Sequence, residues 1–488
     1  MNETKHGLMV RLMKSSSIYA VSGLLRNMVG FAMLPIYTRY LTPADYGIVS
    51  LMVFFVSLIE ITLGARMGHA PQKFYHDQTD DESRKKVIAS ALFTTSFFSF
   101  FVTLVAISMS DHIAIALYDD LGLSTVVSLF LVLIITQAIE TLGLIYIRLK
   151  NDYILFFKLS VAKLIVQLIA NVYLIVYLDL GVLGMATATA FSSVLFAGVV
   201  LLYVIRHTGF VFSQDLAKKM LIFTMPLWLS GLVSLYVGSS NVYVMNEFVS
   251  LTEVGLYSLA ERLGSVVYAL LFVPFFSYWS AERFRLKDRP DFDELHRNVF
   301  VGAYLVLLSA GLAISIYGEF ILTLLTEKSF HGAIDAIPYL VIAYVFNSLA
   351  QFYQFSFLHK QKTMQLTKVM NWTAIATTIL NFSLIPIFGF VGAAISLMFS
   401  YLCILLLSRY FAKPLYDSKF PIMKLLISCI IMAAGYLVSL VLSVDPFTLA
   451  GFFLLSLCYV LTIICLFIFN LNTAQAKNIV SLFKRRNA

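Results

Sequence analysis

Six ionisable residues lie inside long apolar segments of the chain, where charge is costly. The basic ones are Arg26, Lys163 and Arg262, and the acidic ones are Glu60, Glu140 and Glu261. In a membrane-spanning helix, a charge near mid-bilayer costs at least about 2.5–3.5 kcal/mol, so such residues usually face a partner or a water-filled cavity. The chemistry open to them is anion binding, pairing with one another, or coupling to a proton or cation.

Polar side chains accompany these charges at helical spacing. Gln167 and Asn171 follow Lys163 by four and eight positions, so all three share one face of a helix. Stripes of this kind in several segments predict a shared wet interior. Their polar members are Asn27, Gln167, Asn171, Asn347, Gln351 and Gln354.

Each charge also has a purely structural interpretation. Arg26 could pair with Glu60, and Arg262 could pair with the adjacent Glu261. Lys163, only a few residues from the end of its helix, could extend its amine to the membrane interface. Glu140 could pair locally or lie at the surface. These alternatives stay open at the level of sequence.

Catalytic patterns are missing from the sequence. There is no zinc-protease HExxH motif, no Gly-Lys-Thr phosphate loop and no paired-cysteine metal spacing. The longest polar connections, residues 67–86 and 281–298, are about 20 residues each and are interpreted as solvated linkers. We therefore predict no enzyme, no catalytic or metal site and no cofactor.

The elements that position the charges are transmembrane helices. Of the 488 residues, 60% are hydrophobic and 13% are charged, and apolar runs near 20 residues recur throughout, each long enough to cross a bilayer. The fold class predicted is an all-α polytopic membrane protein of about fourteen helices. The predicted spans are 15–38, 44–65, 87–109, 123–147, 159–179, 182–205, 220–246, 255–280, 298–320, 335–357, 366–386, 391–408, 422–442 and 447–470.

Basic residues concentrate in alternate loops. This positive-inside pattern predicts an inner-membrane protein with both termini in the cytoplasm. No small-residue cleavage site follows a short apolar core near the amino terminus, which predicts a retained first helix. The net charge of +8 thus comes from basic loops that orient the protein in the membrane, and no nucleic-acid partner is expected.

Three short motifs return at an offset of 208 positions: Ser22-Gly23-Leu24 as Ser230-Gly231-Leu232, Asp45-x-Gly47 as Glu253-x-Gly255, and Gly181-x-x-Gly184 as Gly389-x-x-Gly392. The offset spans six predicted helices, an even number, which predicts parallel repeats as in alternating-access transporters. The predicted lobes are residues 1–210 and 211–410, followed by two additional helices and a cytoplasmic tail in 411–488. The charges are not duplicated, which favours a functional role for Arg26.

At residues 34–47, LPIYTRYLTPADYG, and 254–262, VGLYSLAER, the chain resembles polysaccharide flippases (Wzx-type, for O-antigen and other lipid-linked oligosaccharides). These belong to the multidrug/oligosaccharidyl-lipid/polysaccharide exporter superfamily. The resemblance extends over the whole chain, and the Leu-Thr-Pro-Ala-Asp-Tyr-Gly loop is its most specific piece.

The resemblance implies translocation of undecaprenyl-diphosphate-linked oligosaccharide from the cytoplasmic to the periplasmic leaflet, for O-antigen, lipopolysaccharide or a related surface polysaccharide. Arg26, assisted by Lys163 and Arg262, would bind the diphosphate, and the polar stripes would bind sugar hydroxyls. Membrane lipid and other polysaccharide-assembly membrane proteins are the further partners implied. A drug or cation antiporter of the same superfamily and a membrane glycan polymerase or ligase are the alternatives.

Overall fold

A computed structural model describes residues 30–470 except 65–66, 69, 361, 363, 443 and 445. These described residues are helical and contain no β-strand, as the sequence predicts. By internal contacts the chain divides into two units, the first ending at Ser258 and the second starting at Leu259. The predicted lobe boundaries near 210 and 410 stay a prediction.

The first unit is built from α1 to α10 and the start of α11. Their bounds are α1 Leu34–Tyr40, α2 Pro43–Leu63, α3 Ala70–His76, α4 Asp81–Ser108, α5 Ser110–Tyr118, α6 Ser124–Leu131, α7 Leu133–Leu149, α8 Tyr153–Asn171, α9 Gly181–Thr208, α10 Gln214–Phe248 and α11 Leu251–Gly264. A 3₁₀ turn, Leu121–Leu123, precedes α6, and a π-helical segment, Val172–Tyr177, prolongs α8.

The second unit contains the end of α11 and the helices that follow it. Their bounds are α12 Val273–Leu286, α13 Phe292–Ile316, α14 Gly318–Leu325, α15 Ile337–His359, α16 Met364–Ala412, α17 Ile422–Leu442 and α18 Leu449–Asn470. A π-helical segment, Val267–Phe272, joins α11 to α12, and a 3₁₀ segment, Lys328–Ala336, precedes α15.

Twelve stretches of the described residues are long and apolar enough to cross a membrane. The predicted number of fourteen is not confirmed. Most of the first predicted span, 15–38, lies outside the described residues. The spans predicted at 366–386 and 391–408 form one continuous stretch, α16, of 49 residues.

The 49-residue α16 is a helical hairpin that reverses at Gly389. There φ is 58° and ψ is −138°, which a helix does not contain and which glycine tolerates best. The Thr377 hydroxyl donates to Ser400 at 2.8 Å, and the Ser396 hydroxyl donates to Asn381 at 2.5 Å, so the two arms run antiparallel. Gly181, the repeat equivalent of Gly389, also has positive φ, at 51°. The offset of 208 positions thus relates two glycines that both have positive φ.

The Leu-Thr-Pro-Ala-Asp-Tyr-Gly motif encodes the start of α2. The Thr42 hydroxyl accepts a hydrogen bond from the Asp45 amide at 3.2 Å, and the Asp45 carboxylate accepts one from the Thr42 amide at 2.8 Å. Together they make a capping box, with Pro43 at the first helical position. At the equivalent start of α11, Ser250 accepts from the Glu253 amide at 3.3 Å.

Two repeat-equivalent glycines bring these helix starts into contact. A Cβ at Gly47 would lie 2.1 Å from the carbonyl oxygen of Leu251, and one at Gly255 would lie 1.7 Å from that of Pro43. Because 43 and 47 correspond to 251 and 255, the contact is symmetric under the repeat. Neither glycine can gain a side chain unless α2 and α11 separate.

The predicted linker at residues 67–86 is largely structured. It contains α3, and α4 already begins at Asp81. Met67, Ala70 and Tyr75 are buried in the first unit's apolar core beside residues of α4, α7 and α9. Hydropathy missed this element because α3, with seven residues, is too short to register as a span.

Candidate functional site

Lys163 and Glu140 form an ion pair between α8 and α7. The Lys163 Nζ lies 2.7 Å from Glu140 Oε1 and 2.5 Å from Oε2. Only 10% of the Glu140 side chain and 23% of the Lys163 side chain is exposed. The amine also lies 5.5 Å from the centre of the Phe196 ring, on α9. Both charges are inside membrane-spanning segments, and each reduces the cost of burying the other.

Asn171 and Gln167 lie on the same helix as Lys163. Asn171 is 1% exposed, and its side-chain oxygen has no hydrogen-bond partner among the described residues. Gln167 is half-buried. Glu60, on α2, is 4% exposed. Arg26 and Asn27 fall outside the residues that the structure describes, so their predicted roles stay predictions.

In the second unit, Glu261 of α11 accepts a hydrogen bond from the Tyr344 hydroxyl on α15 at 3.0 Å. Tyr344 lies on the same helix as Asn347, Gln351 and Gln354 of the predicted polar stripe, three positions before Asn347. Arg262 and these three stripe residues are half-buried. Glu261, the one predicted carboxylate in this unit, therefore directly contacts the helix that carries the predicted polar stripe.

Sequence reasoning missed a buried arginine and histidine that lie together among aromatic rings in the second unit. Arg283, on α12, is 3% exposed and donates to the Gln351 carbonyl at 3.1 Å. Its guanidinium lies 5.1 Å and 5.3 Å from the ring centres of Phe276 and Phe355. His296 is 1% exposed and stacks on Phe420 at 5.0 Å.

The only sequence signal for this cluster was a basic residue at a helix end, which the positive-inside pattern already explained. The aromatic residues that enclose Arg283 and His296 come from α12, α13, α15 and the segment before α17, so they are brought together by tertiary packing.

The ion pair in the first unit has a definite chemical capacity. An ammonium held by a carboxylate can exchange that partner for another oxyanion without ever becoming an unpaired charge in the membrane. A phosphate oxygen that displaces Glu140 from Lys163 would leave the carboxylate to accept a proton or a hydroxyl donor. The arrangement therefore suits reversible capture of an anion.

The sequence profile of the family described as "Polysaccharide biosynthesis protein" matches residues 12–278, more than half of the chain. No curated protein matches the chain in sequence. Among solved structures, lipid II flippase MurJ in its inward closed conformation is 14% identical with a TM-score of 0.72, covering 94% of this chain and 98% of MurJ.

An inward-facing multidrug resistance MATE family transporter of the MOP superfamily is 16% identical with a TM-score of 0.60, covering 81% of this chain and 98% of the transporter. A further MATE structure, in the straight conformation, is 15% identical with a TM-score of 0.55. At these identities the likeness establishes a shared fold.

Proposed function

The chain belongs to the polysaccharide biosynthesis protein family, and on that premise we propose that it moves undecaprenyl-diphosphate-linked oligosaccharide units across the inner membrane. The direction is from the cytoplasmic to the periplasmic leaflet, and the product serves O-antigen or a related surface polysaccharide. The mechanism is alternating access of the two repeats.

The observation that supports this proposal best is the ion pair of Lys163 with Glu140. A cargo with a diphosphate needs a cation inside the membrane, and that cation needs a counter-charge whenever the cargo is absent. Lys163 supplies the cation and Glu140 supplies the counter-charge, with the Lys163 Nζ 2.5–2.7 Å from the two carboxylate oxygens. Arg26 and Arg262 complete the proposed diphosphate site.

The polar stripes would bind the sugars. The candidates in the first unit are Gln167 and Asn171, whose side-chain oxygen has no hydrogen-bond partner among the described residues, and those in the second unit are Asn347, Gln351 and Gln354. Amides both donate and accept hydrogen bonds, so they suit hydroxyl groups without requiring one particular sugar. Glu60 and Glu261 are the candidates for ion coupling.

The decisive experiment locates the lipid-linked oligosaccharide in cells that lack this protein. Spheroplasts are treated with an impermeant glycan-binding probe. We expect the lipid-linked unit to accumulate on the cytoplasmic face, and wild-type protein to restore its exposure. Accumulation on the periplasmic face would instead indicate a polymerase or ligase that acts after translocation.

A drug or cation antiporter is the second candidate, because two of the structures that share the fold are MATE transporters. It predicts that cells without the protein keep their surface glycan and become sensitive to cationic drugs. Measuring both phenotypes in one strain separates the two functions.

The proposed orientation places both termini in the cytoplasm. A fluorescent protein that matures only in the cytoplasm, fused after residue 488, is expected to fluoresce, whereas alkaline phosphatase at the same position is expected to be inactive. The opposite pair of results would reverse the topology.

A further inference from the structure

A basic cavity of about 160 Å³ lies in the second unit, where α16 ends and the segment leading to α17 begins. Three cationic residues and one carboxylate line it, together with two hydroxyl-bearing aromatic rings, a serine and a phenylalanine. The lining residues are Tyr353, Arg409, Lys413, Tyr416, Asp417, Ser418, Lys419 and Phe420.

Two buried hydroxyl groups in this lining have no hydrogen-bond partner among the described residues. Tyr353 is 4% exposed and Ser418 is 6% exposed, and the oxygen of each is fully buried. An unsatisfied buried polar group costs about 1–3 kcal/mol, so such groups usually have a bound partner. Both hydroxyls can donate, which favours an acceptor-rich ligand.

The cationic side chains of the cavity are not used in ion pairs among the described residues. Within the described parts of the chain, no ion pair involves Arg409, Lys413 or Lys419. The single carboxylate, Asp417, accepts a hydrogen bond from the Lys419 amide at 3.1 Å, which holds the loop in place. Three cations around a single carboxylate leave a net positive charge in the cavity, which attracts an anion from outside.

The floor of the cavity is rigid. Phe420 stacks on Phe300 at 4.3 Å with an interplanar angle of 10°, and packs edge-on against Tyr353 at 5.1 Å. These contacts fix the Tyr353 hydroxyl and the backbone next to Ser418.

We propose that this cavity binds a phosphate-bearing anion. Arg409 and Lys413 provide the charge, and the hydroxyls of Tyr353 and Ser418 donate hydrogen bonds to phosphate oxygens. A volume of about 160 Å³ admits a phosphate group and excludes an oligosaccharide. The anion is either the headgroup of an acidic phospholipid or a soluble phosphate, and its binding does not depend on the cargo proposed above.

The test uses the purified full-length chain in detergent, with lipid binding measured by native mass spectrometry. The probes are phosphatidylglycerol, the zwitterionic phosphatidylethanolamine and inorganic pyrophosphate. We expect the double variant Arg409→Gln/Lys413→Gln to lose at least about tenfold in affinity for the anionic probe, and Tyr353→Phe about two- to fivefold. The control, Lys287→Gln, removes an exposed lysine elsewhere in the unit and should bind as the wild type does.

Phosphatidylglycerol binding that the double variant loses and that excess pyrophosphate does not displace identifies a lipid headgroup, whereas pyrophosphate binding that the double variant lacks identifies a soluble anion. Either result supports the site. The proposed site is overturned if the wild type, Tyr353→Phe and the double variant bind every probe equally. It is also overturned if the wild type binds neither phosphatidylglycerol nor pyrophosphate. Tyr353→Phe keeps the test decisive if the double variant fails to fold, because it removes only one oxygen.

Discussion

The Lys163–Glu140 pair is the residue-scale feature from which function is most directly argued. Losing one partner leaves the other charge inside the membrane, whereas losing both leaves none. A structural role and a cargo-binding role therefore make different predictions for the double variant, even though they agree for each single variant.

We expect Lys163→Met to lower stability by an amount near the low end of the about 3–5 kcal/mol seen for broken buried pairs, because 23% of the lysine side chain is exposed. Adding Glu140→Gln should restore most of that loss. Thermal unfolding in detergent measures the stability, and surface glycan measures export. If Lys163 binds cargo, the restored double variant still fails to export.

Lys158→Met is the matched control, since Lys158 lies on the same helix and is exposed. It should change neither stability nor export. Normal export by a stable Lys163→Met/Glu140→Gln protein would show that the pair serves the fold alone and would remove Lys163 from the proposed diphosphate site.

At the scale of elements, the paired starts of α2 and α11 depend on two glycines that cannot be enlarged. We expect Gly47→Ala to cost about 1–3 kcal/mol, because its Cβ would overlap the Leu251 carbonyl oxygen. Gly255→Ala should do the same against Pro43. Since either change separates the same two helices, the double variant should cost less than the sum of the two.

Unfolding midpoints of the two single variants and the double variant give this comparison. Gly198→Ala is the control, because no atom lies within 4 Å of the Cβ it would add, and it should be neutral or slightly stabilising. Fully additive losses for Gly47 and Gly255 would contradict a shared contact.

The cap of α2 is a separate element-scale feature. Thr42→Ala removes the acceptor of the Asp45 amide and is expected to cost about 1 kcal/mol, whereas Thr42→Ser keeps that oxygen and should cost little. Equal stability of the two variants, by thermal unfolding, would show that the capping box contributes nothing.

A second contact holds α2 further along its length. Burial raises the pKa of the Tyr118 phenol, so the group remains protonated, and its hydroxyl donates a hydrogen bond to the Ile48 carbonyl at 2.9 Å.

At the scale of the whole molecule, hydropathy predicted where long apolar helices lie because crossing a bilayer demands a run of about 20 apolar residues. Most predicted spans reappear within a few residues, as for 422–442, where α17 is Ile422–Leu442. The short helices α3, α5 and α14 were missed, since seven to nine residues give no such run.

Contacts between side chains on different helices were harder to predict than the positions of the helices. Lys163 and Glu140 are 23 positions apart on different helices, and only packing selects that carboxylate over Glu60. The cavity at Tyr353 and Ser418 depends on the path of a loop, for which the sequence has no periodic signal. The Leu-Thr-Pro-Ala-Asp-Tyr-Gly motif, in contrast, forms a helix cap and a close helix contact, and both follow from local physical rules.

The last prediction concerns the energy source of the proposed transport. A diphosphate bears roughly two negative charges, and moving them out of a negative interior is favoured by about 2.3 kcal/mol per charge per 100 mV. In proteoliposomes, collapsing the membrane potential with valinomycin and potassium should therefore slow translocation of the lipid-linked unit several-fold. Nigericin, which removes the proton gradient and leaves the potential, is the control and should have little effect. The reverse pattern would assign the driving force to proton coupling, with the carboxylates of Glu60 and Glu261 as the first residues to replace.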